Sequence, residues 1–364
     1  MRQITVELGE RSYPIYIGEG ILDRIGEFFD ERSINKLSPL LIITDEHVAA
    51  QHLDRVSLGL TQAGYHVLVK IVPSGEKSKS LAVLEDVIGL ALQGGLDRQS
   101  TIVALGGGVV GDLAGFVAAS YMRGVRFVQI ATTIQAHDSS VGGKVGVNHP
   151  LAKNIIGAFH QPELVIFDIS TLRTLPDREI RSGLSELLKE GLIWDAEFVH
   201  WCDQNTGNLL NLNSEALQHA LYEGIRIKAN VVSLDEREND LRAILNLGHT
   251  IGHALEAVSG YNQLLHGEAI SIGMVGAAKL AMRLGGPESV YVETKRLLKN
   301  LGLPITLPDH LDTDEIMSAM MHDKKFKEGQ MVFVLPTAIG AVQIRKGIQA
   351  DMVREVVNEL KREV

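Results

Sequence analysis

The chain has 364 residues, 45% of them apolar, and 45 acidic against 35 basic side chains give a formal net charge of −10. At roughly 150 residues per domain this length favours two domains with full cores, and the apolar content excludes a disordered chain. Excess acid repels phosphate backbones at long range, so nucleic acid is not the expected partner and any anionic ligand must meet a local basic pocket. The longest apolar runs, such as Ile102 to Leu105 and Met331 to Leu335, fall far short of the roughly 20 residues of a bilayer span, and no membrane partner is expected. Met1 to Val6 lacks an apolar signal core and Cys202 is the single cysteine. No internal disulfide can form, and a reducing cytoplasm is the expected location.

Strands are expected at 40–44, 66–72, 101–105, 127–130 and 164–168, as apolar β-branched runs of the kind found when both sheet faces are covered. Helical periodicity fills the gaps at 47–63, 80–93 and 112–122. The resulting βαβα order implies a mostly parallel sheet. From Pro176–Asp177–Arg178–Glu179, a helix start with acid in its first turn, to about residue 325 the period is near 3.6. One exception, 331–335 and 341–344 around a loop, reads as a β-hairpin. The expected fold class is α/β plus all-α: a Rossmann-like nucleotide-binding domain over 1–174 and a helical domain over 175–364, with the active site in the cleft between them.

Leu105 is followed by Gly106–Gly107–Gly108–Val109–Val110–Gly111–Asp112, a G-x-G-x-x-G pattern between a strand and a helix. Glycines let a backbone approach a pyrophosphate, and the helix N-terminus offers unpaired N–H groups and a positive dipole end. The usual ribose-binding acid about 20 residues on is missing, with Asp45 a substitute, and a plain strand-to-helix turn remains the alternative. Pro73 to Lys79 forms a second polar loop after a strand.

His249 and His253, at i and i+4, share one helix face, and His266 follows downstream. The peptidase motif would need glutamate where Thr250 stands. Upstream, Glu186 and Lys189 share a face at i and i+3. One carboxylate with two imidazoles and an open position is a catalytic rather than structural zinc-type set. Thirteen histidines also cluster by chance, and solvation of a helix face accounts equally for Glu186 and Lys189. Asp138 to Pro150, continuing into Lys153 and Asn154, concentrates cations, amides and hydroxyls in a glycine-bearing loop suited to a polyhydroxylated anion.

Taken together, GGGVVGD at 106–112, TT at 132–133, DSSVGGK at 138–144, KN at 153–154, E-x-x-K at 186–189, LNLGHTIGH at 245–253 and HGEA at 266–269 resemble the 3-dehydroquinate synthases of the sugar-phosphate cyclase group, in order and spacing. The resemblance implies that Glu186, His249 and His266 hold zinc or cobalt. It places NAD against Ser74, Gly75, Glu76, Lys77, Ser78 and Lys79, against Gly108, Val109, Val110, Gly111 and Asp112, against Thr132 and Thr133, and against Thr171, Leu172, Arg173 and Thr174, with Asp45 near the ribose. Asp138, Lys144, Lys153, Asn154, Lys189, Lys228, Arg242, Asn246, His253 and Lys324 or Lys325 would surround a sugar-phosphate substrate, Lys144 and Lys153 also bordering the cofactor. Arg123 would reach phosphate across a homodimer contact. Two positions depart from the family pattern: Ala152 replaces a common Gly, and Glu190 stands where an aromatic residue or His is usual and is expected to face away from the metal.

The implied reaction converts 3-deoxy-D-arabino-heptulosonate 7-phosphate into 3-dehydroquinate and phosphate, a lyase step of the shikimate pathway to chorismate and the aromatic amino acids. It runs by transient oxidation with NAD, elimination, re-reduction and internal aldol closure. Rival readings are another cyclase such as 2-deoxy-scyllo-inosose synthase, a metal-dependent oxidoreductase resembling glycerol dehydrogenase, and a non-catalytic sugar-phosphate sensor.

Overall fold

Apolar runs that alternate in side-chain direction bury both faces of a strand, and the central strands do this throughout. In the computed structural model, residues 1–150, 152–238, 240–260, 263–322, 326–327 and 330–361 are described. Among the described residues nine strands fall in the first half: β1 (Arg2–Val6), β2 (Tyr13–Gly18), β3 (Leu40–Asp45), β4 (Val67–Val72), β5 (Thr101–Gly106), β6 (Arg126–Ala131), β7 (Lys144–His149), β8 (Ala152–Phe159) and β9 (Leu164–Asp168). Seven form one sheet in the order β1-β2-β9-β6-β5-β3-β4, parallel except for β1 against β2. Leu41, Ile43, Ile102 and Ala104 point to a core under the helices Leu81–Gln93 and Gly108–Ser120. Their neighbours Leu40, Ile42, Val103 and Leu105 point to a second core, shared with the helices Ile25–Glu31 and Asp54–Gln62. Each of the larger of these side chains, the leucines, isoleucines and Val103, contributes roughly 1.5–3 kcal/mol by leaving water.

The chain steps from β3 outward to β4, then returns to place β5 on the opposite side of β3. The carboxyl ends of β3 and β5 therefore flank a topological switch point, where open α/β sheets bind ligands. Asp45 ends β3, and the glycine turn follows β5.

Several local expectations change. The N-terminal pair β1–β2 was not expected. The segment expected as a loop from 138 onward holds a short helix, Ala136–Ser139, and then the antiparallel ribbon β7–β8. Glycines make the ribbon possible: a Cβ on Gly157 would lie 2.3 Å from the Val145 carbonyl oxygen, and one on Gly115 would lie 2.3 Å from Val145 Cγ1. Composition that reads as loop is here a requirement of close strand and helix contact. The helix expected from 112 begins at Gly108, directly on the glycine turn.

Contacts divide the chain into two units, Met1–Leu175 with Leu217–Arg237, and Pro176–Ala216 with Glu238–Val364. The first crossing falls between Leu175 and Pro176. The helix Ser214–Leu234, however, belongs largely to the first unit, where its Lys228 and Tyr222 find their partners Asp138 and Arg2, and Glu236 just beyond its end pairs with Arg11. The second unit is mainly helical, with a small sheet of β10 (Phe326–Lys327), β11 (Gln330–Ala338) and β12 (Ala341–Lys346) that contains the expected hairpin. At its centre the helix His266–Arg283 is buried nearly all round and packs on the helices Asp177–Trp194, His249–Val258, Glu288–Asn300 and Ala350–Leu360. Among the described residues no helix is long and apolar enough to cross a membrane.

Candidate active site

In the second unit, two glycine notches set the geometry. A Cβ on Gly267 would lie 2.0 Å from the carbonyl oxygen of Ser182, and the Gly267 N–H donates to Ser182 Oγ at 3.0 Å. Only glycine lets the start of the helix His266–Arg283 press against the helix Asp177–Trp194. Glu186, one turn after Ser182, then lies beside His266. Similarly, a Cβ on Gly273 would meet the Gly248 carbonyl oxygen at 2.0 Å, and Gly248 itself takes a left-handed φ of 80° to start the helix His249–Val258.

Three residues distant in sequence thus converge. Glu186 Oε1 lies 3.8 Å from His249 Nε2 and 3.5 Å from His266 Nε2, and the ligand atoms of the three residues all fall within 4.8 Å of one another. The separation to His249 is too long for a hydrogen bond and that to His266 is at the outer limit of one, and both are near the ~3.4 Å edge of a tetrahedron with metal–ligand bonds of about 2.1 Å. Glu186 is fully buried; Lys189 answers its Oε2, while its Oε1 faces the two imidazoles, the side on which a metal cation would be held. The donor set, a carboxylate and two imidazoles, suits zinc or cobalt. The other ring nitrogens are held as well: His249 Nδ1 lies 3.1 Å from the Leu247 carbonyl oxygen and His266 Nδ1 lies 3.1 Å from Glu256 Oε2. Burial alone would lower the His266 pKa, but Glu256 and Glu186 outweigh it and push it up to about 10.

Lys189 Nζ sits 2.5 Å from Glu186 Oε2 and 3.4 Å from Glu190 Oε1. The expectation that Glu190 faces away is therefore corrected. The helix is buried on every side from Ser182 to Ile193, so it has no outward face there. His253 lies one turn after His249, their ring centroids 5.1 Å apart. Arg242 is buried in the turn Leu241–Asn246, whose Asn246 donates Nδ2–H to Glu238 Oε1 at 3.1 Å. Lys324 and Lys325 lie outside the described residues.

In the first unit the glycine turn forms a cradle. A Cβ on Gly107 would meet Thr133 Cγ2 at 2.9 Å, and one on Gly108 would meet Ser139 Oγ at 3.0 Å. Gly107 caps its helix without a side-chain bond, and among the described residues the buried hydroxyls of Thr132 and Ser139 have no hydrogen-bond partner. Bare helix N–H groups, glycine walls and orphaned hydroxyls fit the phosphates of a dinucleotide such as NAD. Val110 and Gly111 face the core, leaving them only their backbone to offer.

Other expected cofactor residues are engaged in holding the fold. Asp45 Oδ1 accepts from the His47 and Val48 N–H groups and from Ser74 Oγ. Ser78 donates to the Pro73 carbonyl. Lys79 is buried, donating to Asp112 Oδ2 at 2.6 Å and to Asn154 Oδ1 at 2.5 Å. Burial raises the Asp112 pKa against the opposing pull of Lys79. Glu76 Oε1 accepts from Asn148 at 2.8 Å and lies 3.9 Å from Lys153 Nζ. Gly75, at φ 93°, opens on free space, and Lys77 is exposed. Thr171 and Leu172 turn inward, Thr174 Oγ1 bonds the Thr171 carbonyl at 2.8 Å, and Arg173 pairs with Glu19. Among the expected substrate residues of this unit, Lys228 Nζ lies 2.7 Å from Asp138 Oδ1, Lys144 is exposed at the start of β7, and Arg123 stands on a turn with φ 69°.

Sequence reasoning missed Glu256 and the notch formed by Ser182 and Gly267. The spacing did carry a signal for Glu256, which falls seven residues after His249 and three after His253 on one helix face.

Models of the N-terminal and C-terminal parts of 3-dehydroquinate synthase match residues 69–182 and 183–326. A curated "3-dehydroquinate synthase" of Desulforamulus reducens is 49% identical over 361 residues, covering 99% of this chain and 100% of its own. Among solved structures, a 2-deoxy-scyllo-inosose synthase complexed with carbaglucose-6-phosphate, NAD+ and Co2+ superposes with a TM-score of 0.90 at 26% identity, over 98% of this chain and 99% of the other. A 2-epi-5-epi-valiolone synthase from Streptomyces hygroscopicus with NAD+ and Zn2+ bound gives 0.87 at 25% identity, over 97% and 98%.

Proposed function

The chain belongs to the 3-dehydroquinate synthase family, and on that premise we propose that it converts 3-deoxy-D-arabino-heptulosonate 7-phosphate into 3-dehydroquinate and phosphate, in aromatic biosynthesis. What carries the reading is the convergence of Glu186, His249 and His266 from three helices on one point. Expelling phosphate from C7 requires a carbanion at C6, and an alcohol at C5 gives it no stabilisation, whereas a C5 ketone does. When bound, NAD supplies a hydride acceptor that returns the hydride within the turnover, and zinc or cobalt supplies a Lewis acid.

The chain's own residues do the rest. Glu186 offers a charged oxygen, and His249 and His266 each offer Nε2. The glycine turn at Gly107–Gly108 and the hydroxyls of Thr132 and Ser139 receive the dinucleotide phosphates. Lys144, Lys153, Lys189, Lys228, Arg242 and one of Lys324 or Lys325 neutralise the carboxylate and phosphate of the substrate, each charge-assisted contact contributing roughly 1.5–3 kcal/mol. Asp138 steadies the Lys228 ammonium, and Asn154 and Asn246 hydrogen-bond hydroxyls. His253 moves a proton at the ring oxygen or a hydroxyl. The substrate phosphate takes the C6 proton, so no side chain is assigned to that step. The reading includes a homodimer in the cytoplasm, with Arg123 reaching phosphate across the dimer contact, NAD on residues 1–174 and metal and substrate on 175–364.

The test supplies this heptulosonate phosphate and follows phosphate, dehydroquinate and NADH, with and without a chelator. Phosphate and dehydroquinate should appear in equal amounts with no net NADH, and chelation should stop both. Steady NADH accumulation would sink the reading in favour of a dehydrogenase.

A further inference from the structure

The two imidazoles of the convergent set are anchored unequally. His249 Nδ1 faces a neutral backbone carbonyl, that of Leu247, while His266 Nδ1 faces a buried carboxylate, Glu256 Oε2, each at 3.1 Å. The rings also differ in exposure: the His249 side chain is 9% exposed and that of His266 31%, each standing at the start of its helix. The more exposed ring is the one tied by a charge.

We propose that Glu256 is a positioning residue for the metal site: by accepting the Nδ1–H of His266 it fixes the tautomer and ring plane that aim Nε2 at the point shared with Glu186 and His249. A carboxylate behind a ligating imidazole also increases the ring's electron donation, and loss of such partners elsewhere costs roughly 10–100-fold in metal affinity. Glu256 is suited to this because it sits on the helix that carries His249, two turns on. One rigid element thus supplies one ligand and orients another. The inference rests on the metal reading proposed above.

Cobalt(II) affinity of the full chain, measured by competition with a chromophoric chelator, with the cobalt visible spectrum recorded alongside, tests both. Glu256→Ala should weaken affinity 10- to 100-fold and alter the spectrum. Glu256→Gln, whose amide oxygen still accepts from Nδ1–H, should recover part of the affinity and the wild-type band shape. Both variants are compared by far-ultraviolet circular dichroism, so that a fold defect is seen directly. If His249→Ala and Glu186→Gln abolish stoichiometric cobalt binding but Glu256→Ala and Glu256→Gln bind as wild type does, the role of Glu256 is refuted and the metal reading stands. If His249→Ala and Glu186→Gln bind cobalt as well as wild type, the metal reading itself fails. Binding of two cobalt ions, the second lost in Glu256→Ala, would overturn the inference by making Glu256 a ligand alongside His253 and His266.

Discussion

The two units build their sites by opposite means. In the first, the cradle is a continuous stretch of backbone: strand β5, a glycine turn and a helix start, with Thr132 and Thr133 following on the neighbouring strand β6. In the second, Glu186, His249 and His266 come from three helices, and nothing local places them together except the glycine notches between helices. A backbone cradle tolerates change in its surroundings. A side-chain constellation fails when any supporting helix shifts by a fraction of an ångström.

The largest effect is expected at the constellation itself. Glu186→Gln removes the one charged ligand and should lower metal affinity and phosphate release by more than about 100-fold, beyond what loss of a merely supporting partner causes. Retained metal in the purified variant, measured by atomic absorption, would break the contrast. Next comes the buried pair that ties the cradle to the ribbon. Lys79→Met strips Asp112 of its nearest cation and should cost about 3–5 kcal/mol in urea unfolding. A loss below about 1 kcal/mol would mean that the first unit does not depend on this pair.

Gly273→Ala sharpens the comparison further. Its methyl meets the Gly248 carbonyl oxygen, so stability should drop by about 1–3 kcal/mol or more and cobalt affinity should fall with it. By contrast, Gly108→Ala, whose methyl meets the Ser139 side chain, Oγ at 3.0 Å and Cβ at 3.4 Å, should leave unfolding nearly unchanged while weakening NAD binding. Equal stability losses in the two variants would erase the distinction between the units.

The smallest effect concerns protons. The folded pKa of His266, about 10 in the metal-free protein, lies above the ordinary imidazole value of about 6.5. Its contribution to stability is therefore fully present below about pH 6.5 and is lost as pH rises through about 10. Thermal unfolding of metal-free wild type should lose stability across that window relative to metal-free His266→Asn. Metal binding at pH 7 should release about one proton from this site, measurable by calorimetry in buffers of different ionisation enthalpy.

What could be read directly from the sequence follows the same division. The strands of the central sheet are apolar runs whose burial needs no partner identity, and the turn GGGVVGD announces itself because a tight turn at a helix start is a local demand. The ribbon β7–β8 was hidden, since its glycines serve contacts between residues far apart in the chain, Gly146 with Ile156 and Gly157 with Val145, rather than a loop. The helix Ser214–Leu234 has the same texture as its helical neighbours, and its partners Asp138 and Arg2 assign it to the first unit. Glu190 looked like a surface residue because a charged side chain usually is one, and its burial depends on helices packed all round.

By itself, then, the sequence determined the parallel sheet, the glycine turn, the helical second half and, through motifs in a fixed order, the family. Tertiary structure alone decided which nitrogen of each histidine is held and by what, that Lys79 and Asp112 face each other inside, that Glu190 is buried beside Lys189, and that Glu256 stands behind His266. The reason is physical: backbone conformation and amphipathic period are set by neighbours in the chain, whereas the direction and charge state of a buried side chain are set by whatever atoms packing brings against it.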